Sequence, residues 1–355
     1  MEFLHETQSV WQRLQQEKRP IVLYGMGDGA DKILHVFAEK NIQASAVFAS
    51  DEFVRGHTFA GFRVQKLSEV VEQYGEDIVI VLSFASQRPE LLARFDELNA
   101  RFALVAPDVP VAGGGLFDLD YLNQHRQELE RVYDWLADDI SRKVFANVLN
   151  FKISGKIAYL RDCATDKREI FEQVLRPRPD EHFADLGAYN GDTIRELLHY
   201  TGGQFGSITA LEPDRRNFRK LSQYAAEQLG DHVQLVQAGG WSEDTVLTFA
   251  ARAGRNSALA QKGIETPMRA LDRVLDGAPC TLLKLDVEGA EHQALLGAQN
   301  TIRTYRPRIN LACYHRNADL FDLPALVKEL CPDYRLYLRH HPYVPAWDVN
   351  LYATV

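Results

Sequence analysis

The sequence has few cysteines, no long apolar run and no apolar leader. Its 355 residues include four cysteines. These form no CxxC pair and have no histidine at the spacing of a zinc site, so neither a zinc centre nor a disulfide scaffold is predicted. No apolar run approaches the roughly 20 residues that a membrane helix needs, and the first residues mix charges into an amphipathic pattern, unlike a secretory signal. We therefore expect a cytoplasmic protein that makes no membrane contact.

The sequence also lacks an excess of positive charge. It has 40 Lys and Arg residues against 49 Asp and Glu residues, a formal net charge of −9, and no block of basic residues. A phosphate backbone rewards clustered Lys and Arg, so nucleic acid is not an expected partner. Hydrophobic residues make up 46% and charged residues 25%, which is typical of globular chains and excludes the disordered and fibrous classes. The length suits two domains.

Strands and helices alternate in the first part of the chain. Ile21 to Gly25 and Asp77 to Ala85 are continuous apolar runs, as expected of buried parallel strands. A strand ending near Asp51 and a helix from Leu67 to Tyr74 are predicted between them. This alternation predicts an α/β fold with a Rossmann-like parallel sheet.

A glycine turn follows the first predicted strand and matches part of a dinucleotide-binding fingerprint. The turn is Gly25-Met26-Gly27-Asp28-Gly29, and Asp51 lies near the position of a ribose-binding acid. Its third glycine falls one place early, and Asp28 and Asp31 would repel a pyrophosphate. Two interpretations stay open: a site for a nucleotide or nucleotide-sugar, and a structural or partner-docking module.

A break in periodicity separates the two predicted domains. Pro107, Pro110 and Gly113-Gly114-Gly115 interrupt the pattern, and apolar residues then recur at three- and four-residue steps as far as about Leu149, which predicts helices. We therefore predict a Rossmann-like accessory domain at 1–115, a helical linker at 116–150 and a second domain at 151–355.

The most informative stretch is HFADLGAYNGDTIRELL, from His182 to Leu198, which predicts a strand, a glycine turn and a helix. Gly187 and Gly191 let the backbone approach a ligand without obstruction by a Cβ. Asp185 and Asp192 bracket the turn. They would repel a pyrophosphate but favour a ligand that carries an ammonium and a sulfonium. The turn therefore favours S-adenosylmethionine (SAM) over a dinucleotide.

Two further positions suit a nucleoside. Glu212 ends the next predicted strand, where an acid can accept hydrogen bonds from both ribose hydroxyls. Small residues at Gly239-Gly240 leave room for an adenine ring. Each element alone is also compatible with an ordinary strand, turn and helix, and it is their order that favours a SAM site.

With these motifs in place, the sequence resembles the FkbM family of SAM-dependent methyltransferases. The resemblance covers roughly Phe151 to Val355 and rests on FADLGAYNGDT, ALEPD and LLKLDVEGAEHQALLGA, and more loosely on RPRINLACYHR, YRLYLRHH and NLYATV. It implies a Class I methyltransferase fold with a seven-stranded, mostly parallel sheet that ends in an antiparallel hairpin. It also implies O-methylation of a hydroxyl on a sugar, glycan or other metabolite. The C-terminal PAWDVNLYATV departs from the acidic or Thr-rich turn that family members often carry.

Carried over by position, the resemblance implies that three turns and the end of the fourth strand hold the cofactor. The cofactor-binding candidates are Asp185, Gly187, Ala188, Tyr189, Asn190, Gly191, Asp192, Thr193, Glu212, Pro213, Asp214, Ala238, Gly239 and Asp286.

Two residues are candidates for the catalytic base. Methyl transfer from a sulfonium is an in-line displacement, so the enzyme mainly aligns the reactants and removes the hydroxyl proton. Asp286 and His315 each follow a predicted strand, at the sheet edge where ligands of α/β folds bind. An ordinary pKa of about 6.5 suits His315 as a base at neutral pH, and both residues stay open. The substrate-binding candidates are Glu288, Tyr314, His315 and Arg339.

Several of these side chains have a purely structural alternative. Glu288 and Glu291 flank a helix start, where the helix dipole stabilises carboxylates. Asp286 and Glu288 could instead share a divalent metal, since carboxylate oxygens suit Mg²⁺; we predict no metal and keep this as an alternative. Tyr314 and Arg339 could simply cover the core.

The leading hypothesis is an O-methyltransferase with a small-molecule or glycan substrate. One alternative is a nucleotide-sugar or dinucleotide-dependent oxidoreductase that uses the N-terminal turn. Another is a protein that binds SAM without transferring methyl groups. A homo-oligomer is compatible with the sequence.

Overall fold

The N-terminal part of the chain forms a six-stranded sheet. The computed structural model describes residues 1–249 and 263–355. The strands are β1 (Ile21–Tyr24), β2 (Ala46–Phe48), β3 (Thr58–Phe59), β4 (Phe62–Gln65), β5 (Val79–Leu82) and β6 (Ala103–Val105), and the helices are α1 (Val10–Gln16), α2 (Asp28–Lys40), α3 (Leu67–Tyr74) and α4 (Pro89–Arg101). Their order is β3-β4-β2-β1-β5-β6, with only the β3-β4 pair antiparallel. The predicted parallel sheet is therefore present.

The two apolar runs that predicted strands form the centre of this sheet. Every residue of β1 and β5 is buried, and the two strands pair in parallel. Both faces of the sheet are covered, so the strands carry continuous apolar sequence in place of alternation.

Five helices connect the two sheets. They are α5 (Leu119–Gln124), α6 (Arg126–Trp135), α7 (Asp139–Ser154), α8 (Ile157–Asp162) and α9 (Lys167–Ile170), and a π-helical turn follows at Phe171–Leu175. Asp138 begins α7 by accepting a hydrogen bond from the Ser141 backbone, and Gly155 ends it with a φ of 67°. Because α7 runs through residue 150, the helix does not end at the domain boundary predicted there.

A second, seven-stranded sheet contains the C-terminal motifs. The strands of this sheet are β7 (His182–Leu186), β8 (Ser207–Leu211), β9 (Val233–Val236), β13 (Leu282–Leu285), β14 (Arg308–Ala312), β15 (Arg335–His340) and β16 (Val349–Thr354), and three further strands are β10 (Gly239–Gly240), β11 (Thr245–Phe249) and β12 (Ile264–Arg269). The helices are α10 (Asp192–Thr201), α11 (Arg215–Gln228), α12 (Leu271–Leu275), α13 (Glu291–Gly297), α14 (Gln299–Tyr305) and α15 (Asp319–Leu330). The large sheet has the order β15-β16-β14-β13-β7-β8-β9, and β10-β12-β11 form a small third sheet.

The strand order is that of a Class I methyltransferase fold, as expected. Strands β9, β8, β7, β13 and β14 are parallel, and β16 inserts antiparallel between β14 and β15. The order reverses between β7 and β13, so ligands are expected at the carboxyl ends of these strands. Within residues 1–249 and 263–355, no helix combines the length and apolarity needed to cross a membrane.

The carboxyl edges of the two large sheets face each other. Ser86, just after β5, exchanges two backbone hydrogen bonds with Val344, which lies in the turn after β15. Lys152 of α7 and Asp108 form a buried ion pair at 2.6 Å near the connection. The N-terminal part of the chain is therefore placed beside the C-terminal sheet edge where a ligand is expected.

Candidate active site

The glycine turn after β7 is fixed by close backbone contacts. Gly187 has a φ of +86°, and a Cβ there would lie 1.9 Å from the Asp286 carbonyl oxygen. The amides of Gly187 and Ala188 donate to the Leu211 carbonyl at 2.9 and 3.0 Å. We expected Gly187 to open space for a ligand. The structure shows that it lets the turn touch the end of β13, so the predicted cofactor turn and Asp286 lie together.

The rest of the turn leads directly into α10. Gly191 has a φ of +85°, and Tyr224 occupies the space that its Cβ would need, so this glycine also serves packing. Tyr189 is 47% exposed, and the side chain of Asn190 accepts a hydrogen bond from Arg195 at 3.2 Å. Asp192 begins the helix and accepts from the amide of Thr193.

Asp185 is a buried carboxylate with an unmet hydrogen-bonding capacity. Neither carboxylate oxygen has a hydrogen-bond partner among the described residues, although Lys284 Nζ lies 3.4 Å from Oδ1. Burial raises the pKa of Asp185 to about 6, while the charge of Lys284 opposes this shift and that of Asp192 adds to it. A buried acceptor without a donor is costly, so a ligand ammonium near this turn would be favourable.

Glu212 ties the end of β8 to the glycine turn. One carboxylate oxygen accepts from the Tyr189 amide and the other from the Asp214 amide, both at 2.8 Å. Burial raises the pKa of Glu212 to about 7, and these hydrogen bonds lower it. Each oxygen keeps a second lone pair, so the carboxylate can still accept from a ribose. Asp214 starts α11 by capping the Asn217 amide, and Pro213 lies between the two acids.

Gly239 and Gly240, expected beside the adenine ring, pack against protein atoms where a Cβ would lie. Both glycines are buried in β10, and a Cβ on Gly239 would lie 2.7 Å from Met268. A Cβ on Gly240 would lie 2.7 Å from Leu186, and Ala238 is buried as well. These glycines therefore let β10 pack closely against its neighbours, and the adenine site beside them stays a prediction.

A charged cluster lies at the carboxyl ends of β13 and β14. The ring of His315 is buried. Its Nε2 is 3.5 Å from both Asp286 Oδ1 and Glu288 Oε2, and its Nδ1 is 3.0 Å from Glu291 Oε1. Glu291 is held in turn by the Val287 amide at 2.9 Å. The structure thus brings together both candidates for the base.

The charges around His315 decide its protonation. Burial lowers the pKa of the ring, but Glu291 and then Glu288 and Asp286 raise it more, so the pKa lies well above its usual value. The three surrounding carboxylates therefore favour the protonated ring. The sequence offered His315 as a base on the basis of an ordinary histidine pKa, and the three carboxylates around the ring raise its pKa above that ordinary value.

Asp286 and Glu288 are the acidic groups of the cluster that remain partly exposed to a ligand. The side chain of Asp286 is 37% exposed, and the Tyr314 hydroxyl donates to it at 3.4 Å. Its withdrawal from bulk water raises the pKa of Asp286, whereas Lys284 and His315 lower it. Glu288 is also half exposed and has a left-handed φ of 55°, a backbone conformation that costs energy and occurs often at functional sites.

One set of groups in the cluster has the spacing of metal ligands. Single ligand atoms of Asp286, Glu291 and His315 lie within 4.8 Å of one another. This set differs from the pair Asp286 and Glu288 that the sequence suggested. A metal needs a neutral imidazole, and the contact of His315 with Glu291 favours the protonated ring.

The segment that joins the two domains covers this cluster. The Ala112 amide donates to the His315 carbonyl at 2.8 Å, and a Cβ on Gly289 would lie 2.6 Å from Ala112. Lys32 of α2 holds the same segment by donating to the Pro110 and Val111 carbonyls. The N-terminal part therefore contributes a wall next to Asp286 and His315.

The substrate role expected of Arg339 is not supported. The guanidinium is fully buried and forms ion pairs with Asp138 at 2.8 Å and Glu169 at 2.9 Å. It also donates to Ser141 Oγ at 2.8 Å. These contacts join β15 to helices far along the chain, so the charge is satisfied within the core and is not presented to a ligand.

The N-terminal glycine turn is packed against protein. A Cβ on Gly25 would lie 2.5 Å from Phe84, and one on Gly29 would lie 2.5 Å from the Ser83 carbonyl oxygen. Both glycines therefore allow close packing on the end of β5, which is the structural interpretation left open by the sequence.

The sequence analysis missed Lys284 and considered Glu291 only as a structural carboxylate at a helix start. Lys284 donates to the Gly187 carbonyl at 2.9 Å and lies between Asp185 and Asp286, and Glu291 orients His315. The only sequence signal for Lys284 is a lysine within an otherwise apolar strand, which demands buried partners.

Comparisons with known proteins agree with this geometry. Residues 185–345 match the model of the Methyltransferase FkbM domain, which confirms the resemblance seen in the sequence. The structure of methyltransferase FkbM from Methylobacillus flagellatus KT is similar over 99% of this chain and 94% of its own, with a TM-score of 0.75 and 21% identity. The fold of both parts of the chain is thus shared with that protein.

More distant similarities cover about half of the chain. Aeropyrum pernix fibrillarin, in complex with natively bound S-adenosyl-L-methionine, covers 53% of this chain and 71% of its own, with a TM-score of 0.36 and 12% identity. Precorrin-6y C5,15-methyltransferase from Geobacter metallireducens GS-15 covers 54% of this chain and 92% of its own, with a TM-score of 0.35 and 13% identity. No curated protein matches the chain.

Proposed function

Since residues 185–345 match the model of the Methyltransferase FkbM domain, we propose that this protein transfers the methyl group of SAM to a hydroxyl oxygen of a sugar, glycan or other hydroxylated small molecule. The observation that carries the proposal is the contact between the cofactor turn and the candidate base: a Cβ on Gly187 would lie 1.9 Å from the Asp286 carbonyl oxygen. A methyl donor in the turn would therefore lie beside Asp286.

The charges around the turn support SAM as the methyl donor. Asp185 offers a buried carboxylate whose ion pair with Lys284 at 3.4 Å leaves hydrogen-bonding capacity on both oxygens, which suits an ammonium. Glu212 keeps free lone pairs for ribose hydroxyls, since each of its oxygens accepts one backbone amide. Negative charge near a sulfonium stabilises the bound cation before transfer.

Asp286 is the group we assign as the base. The acceptor oxygen attacks the methyl carbon, the carbon–sulfur bond breaks with its electron pair going to sulfur, and the hydroxyl proton passes to a carboxylate oxygen of Asp286. Asp286 is 37% exposed and within reach of a ligand, whereas His315 is buried among three carboxylates that raise its pKa and favour its protonated form. The imidazolium of His315, held by Glu291, would keep the Asp286 carboxylate in position as its partner.

The acceptor would lie between Asp286 and the segment around Ala112. Glu288 and Tyr314 are both next to Asp286 and can hydrogen-bond to further hydroxyls. A polar wall of this kind suits a hydroxylated ligand better than an apolar one.

A transfer assay tests this proposal. Purified protein is incubated with methyl-labelled SAM and a panel of sugars and hydroxylated metabolites, and S-adenosylhomocysteine is quantified. We expect label in an ether of at least one acceptor, lost in Asp286→Asn and retained in Asp231→Asn, an exposed acid that controls for charge. Full turnover by Asp286→Asn would refute the assignment of the base, and transfer of label only to nitrogen or carbon would refute O-methylation.

A further inference from the structure

A cavity rich in arginine lies at the opposite edge of the C-terminal sheet. It has a volume of about 570 Å³, and Thr281 and Arg308, which line it, stand at the amino ends of β13 and β14. Strands rise about 3.3 Å per residue, so Thr281 is about 16 Å along β13 from Asp286. The arginines of its lining are Arg176, Arg178, Arg306, Arg308 and Arg335, and no acidic residue is among the lining residues.

Carboxylates near the cavity neutralise only part of this charge. Arg308 pairs with the buried Glu181, which also lies 3.7 Å from Arg178. Asp180 lies 3.4 Å from Arg178, and Asp333 lies 3.0 Å from Arg306. Five guanidinium groups thus face three carboxylates.

Arg176 and Arg335 supply the remaining charge. Neither forms an ion pair with any residue in the described ranges 1–249 and 263–355. Arg335 lies over the ring of Tyr337 at 5.6 Å, which orders its side chain at the cavity. Counted over side chains alone, without the α-carboxylate of the lining residue Val355, the cavity therefore has an excess of about two positive charges, on a chain whose net charge is −9.

Hydrogen bonds within the protein position the residues that line this cavity. Arg308 donates to the Arg176 carbonyl at 2.8 Å and so holds the turn that carries Arg176. Glu181 is fixed from behind by the Thr281 hydroxyl, which donates to it at 2.6 Å. Because Arg308 pairs with Glu181, which is fully buried, and also donates to the Arg176 carbonyl, its guanidinium is in place before any ligand arrives.

We propose that this cavity binds the phosphoryl group of a small soluble phosphate monoester. A phosphoryl group carries a charge of about −1.5 to −2 near neutral pH, which matches the excess. Guanidinium groups present paired donors that fit phosphate oxygens. The cavity also lies within the range of about 300–1,000 Å³ that is typical of small-molecule sites, so it can enclose part of the ligand beyond its phosphate. This site is separate from the proposed methyl transfer and does not depend on it.

Calorimetric titration of the full chain with inorganic phosphate and glycerol 3-phosphate tests the proposal at constant ionic strength. We expect one saturable site per chain, weakened at least tenfold in Arg176→Ala/Arg335→Ala. The matched control is Arg215→Ala/Arg219→Ala, which removes two exposed arginines of α11 and should leave the affinity unchanged. Arg176→Lys/Arg335→Lys keeps the charge but not the paired donors. Its affinity for phosphate should lie between those of the alanine variant and the control variant.

Saturation with S-adenosylhomocysteine separates this site from the cofactor turn. Phosphate binding should be unaffected by it, and competition would overturn the proposal. The absence of saturable phosphate binding, or an equal loss of phosphate affinity in the control variant, would also overturn the proposal. Vesicles that contain phosphatidic acid are a further arm: capture of the protein that is lost in Arg176→Ala/Arg335→Ala would assign the phosphate to a lipid headgroup and would overturn the soluble ligand. Thermal unfolding of each variant, monitored by circular dichroism, verifies that the variant is folded.

Discussion

Replacement of Gly187 by alanine tests the contact between the cofactor turn and Asp286. Gly187 has a φ of +86°, and the new Cβ would lie 1.9 Å from the Asp286 carbonyl oxygen and 2.9 Å from its carbonyl carbon. A left-handed backbone costs a non-glycine residue about 1–2 kcal/mol. Overpacking adds about 1–3 kcal/mol, and the clash cannot be relieved by a side-chain rotation because both atoms belong to the backbone.

Gly202→Ala is the matched control, since Gly202 has a φ of +65° but no atom within 4 Å of its would-be Cβ. Its free energy of unfolding should fall only by the cost of the left-handed backbone, about 1–2 kcal/mol. That of Gly187→Ala should fall by about 2–5 kcal/mol in total. Urea unfolding measures both, and a difference of about 2 kcal/mol moves the midpoint by about 0.7 M if the slope is about 3 kcal/mol/M.

The two variants should also differ in cofactor binding. Relief of the clash requires the turn and the end of β13 to move apart, so Gly187→Ala should bind S-adenosylhomocysteine at least tenfold more weakly while Gly202→Ala binds normally. Equal losses of stability in the two variants would refute the close contact. Normal binding by Gly187→Ala would refute the role of the turn.

Four further results are expected. Burial raises the pKa of Glu212 to about 7, so the folded chain binds this proton more tightly than the unfolded chain. The contribution of Glu212 to the free energy of unfolding therefore falls as the pH rises from the ordinary glutamate pKa through 7. Ribose hydroxyls favour the ionised form, so calorimetry should show tighter S-adenosylhomocysteine binding at about pH 8 than at about pH 6, and Glu212→Gln should lose this dependence. His315→Gln removes a charge that lowers the pKa of Asp286, so the acidic limb of the pH–rate profile should move to higher pH; an unmoved limb would argue against Asp286 as the base. Arg339→Met leaves Asp138 and Glu169 unpaired beside the core, and chemical unfolding should show a loss of about 3 kcal/mol with unchanged cofactor affinity in the folded protein. Turnover should survive chelation by EDTA, and a loss that Mg²⁺ restores would assign a metal to Asp286, Glu291 and His315.

The elements of the fold follow closely from local sequence. The helix predicted at Leu67 to Tyr74 has those bounds in the structure, and the apolar runs at β1, β5 and β13 are buried strands. Periodicity and turn residues are local signals, so a single sequence suffices for them.

The partners of buried charges could not be predicted in this way. Arg339 pairs with Asp138 and Glu169, which are 201 and 170 residues away. Nothing near Arg339 in the sequence distinguishes it from an arginine at a sheet edge. The arginines of the second cavity are likewise dispersed along the chain, and so the sequence showed no basic block although the fold creates one.

The glycines predicted the turns correctly, but they did not predict which atoms pack where each Cβ is missing. A glycine shows that a Cβ is absent, whereas what fills the space depends on the neighbouring element. At Gly187 it is the backbone of Asp286, and at Gly239 it is the side chain of Met268. The same limit applies to His315, whose pKa depends on carboxylates that only the fold assembles.

Calorimetric titration of the full chain with SAM, and separately with NAD, tests the central claim most directly. We expect one molecule of SAM per chain, markedly weaker binding by Asp185→Asn, and no heat with NAD. Absence of SAM binding by the folded protein, or binding of NAD in its place, would contradict the account.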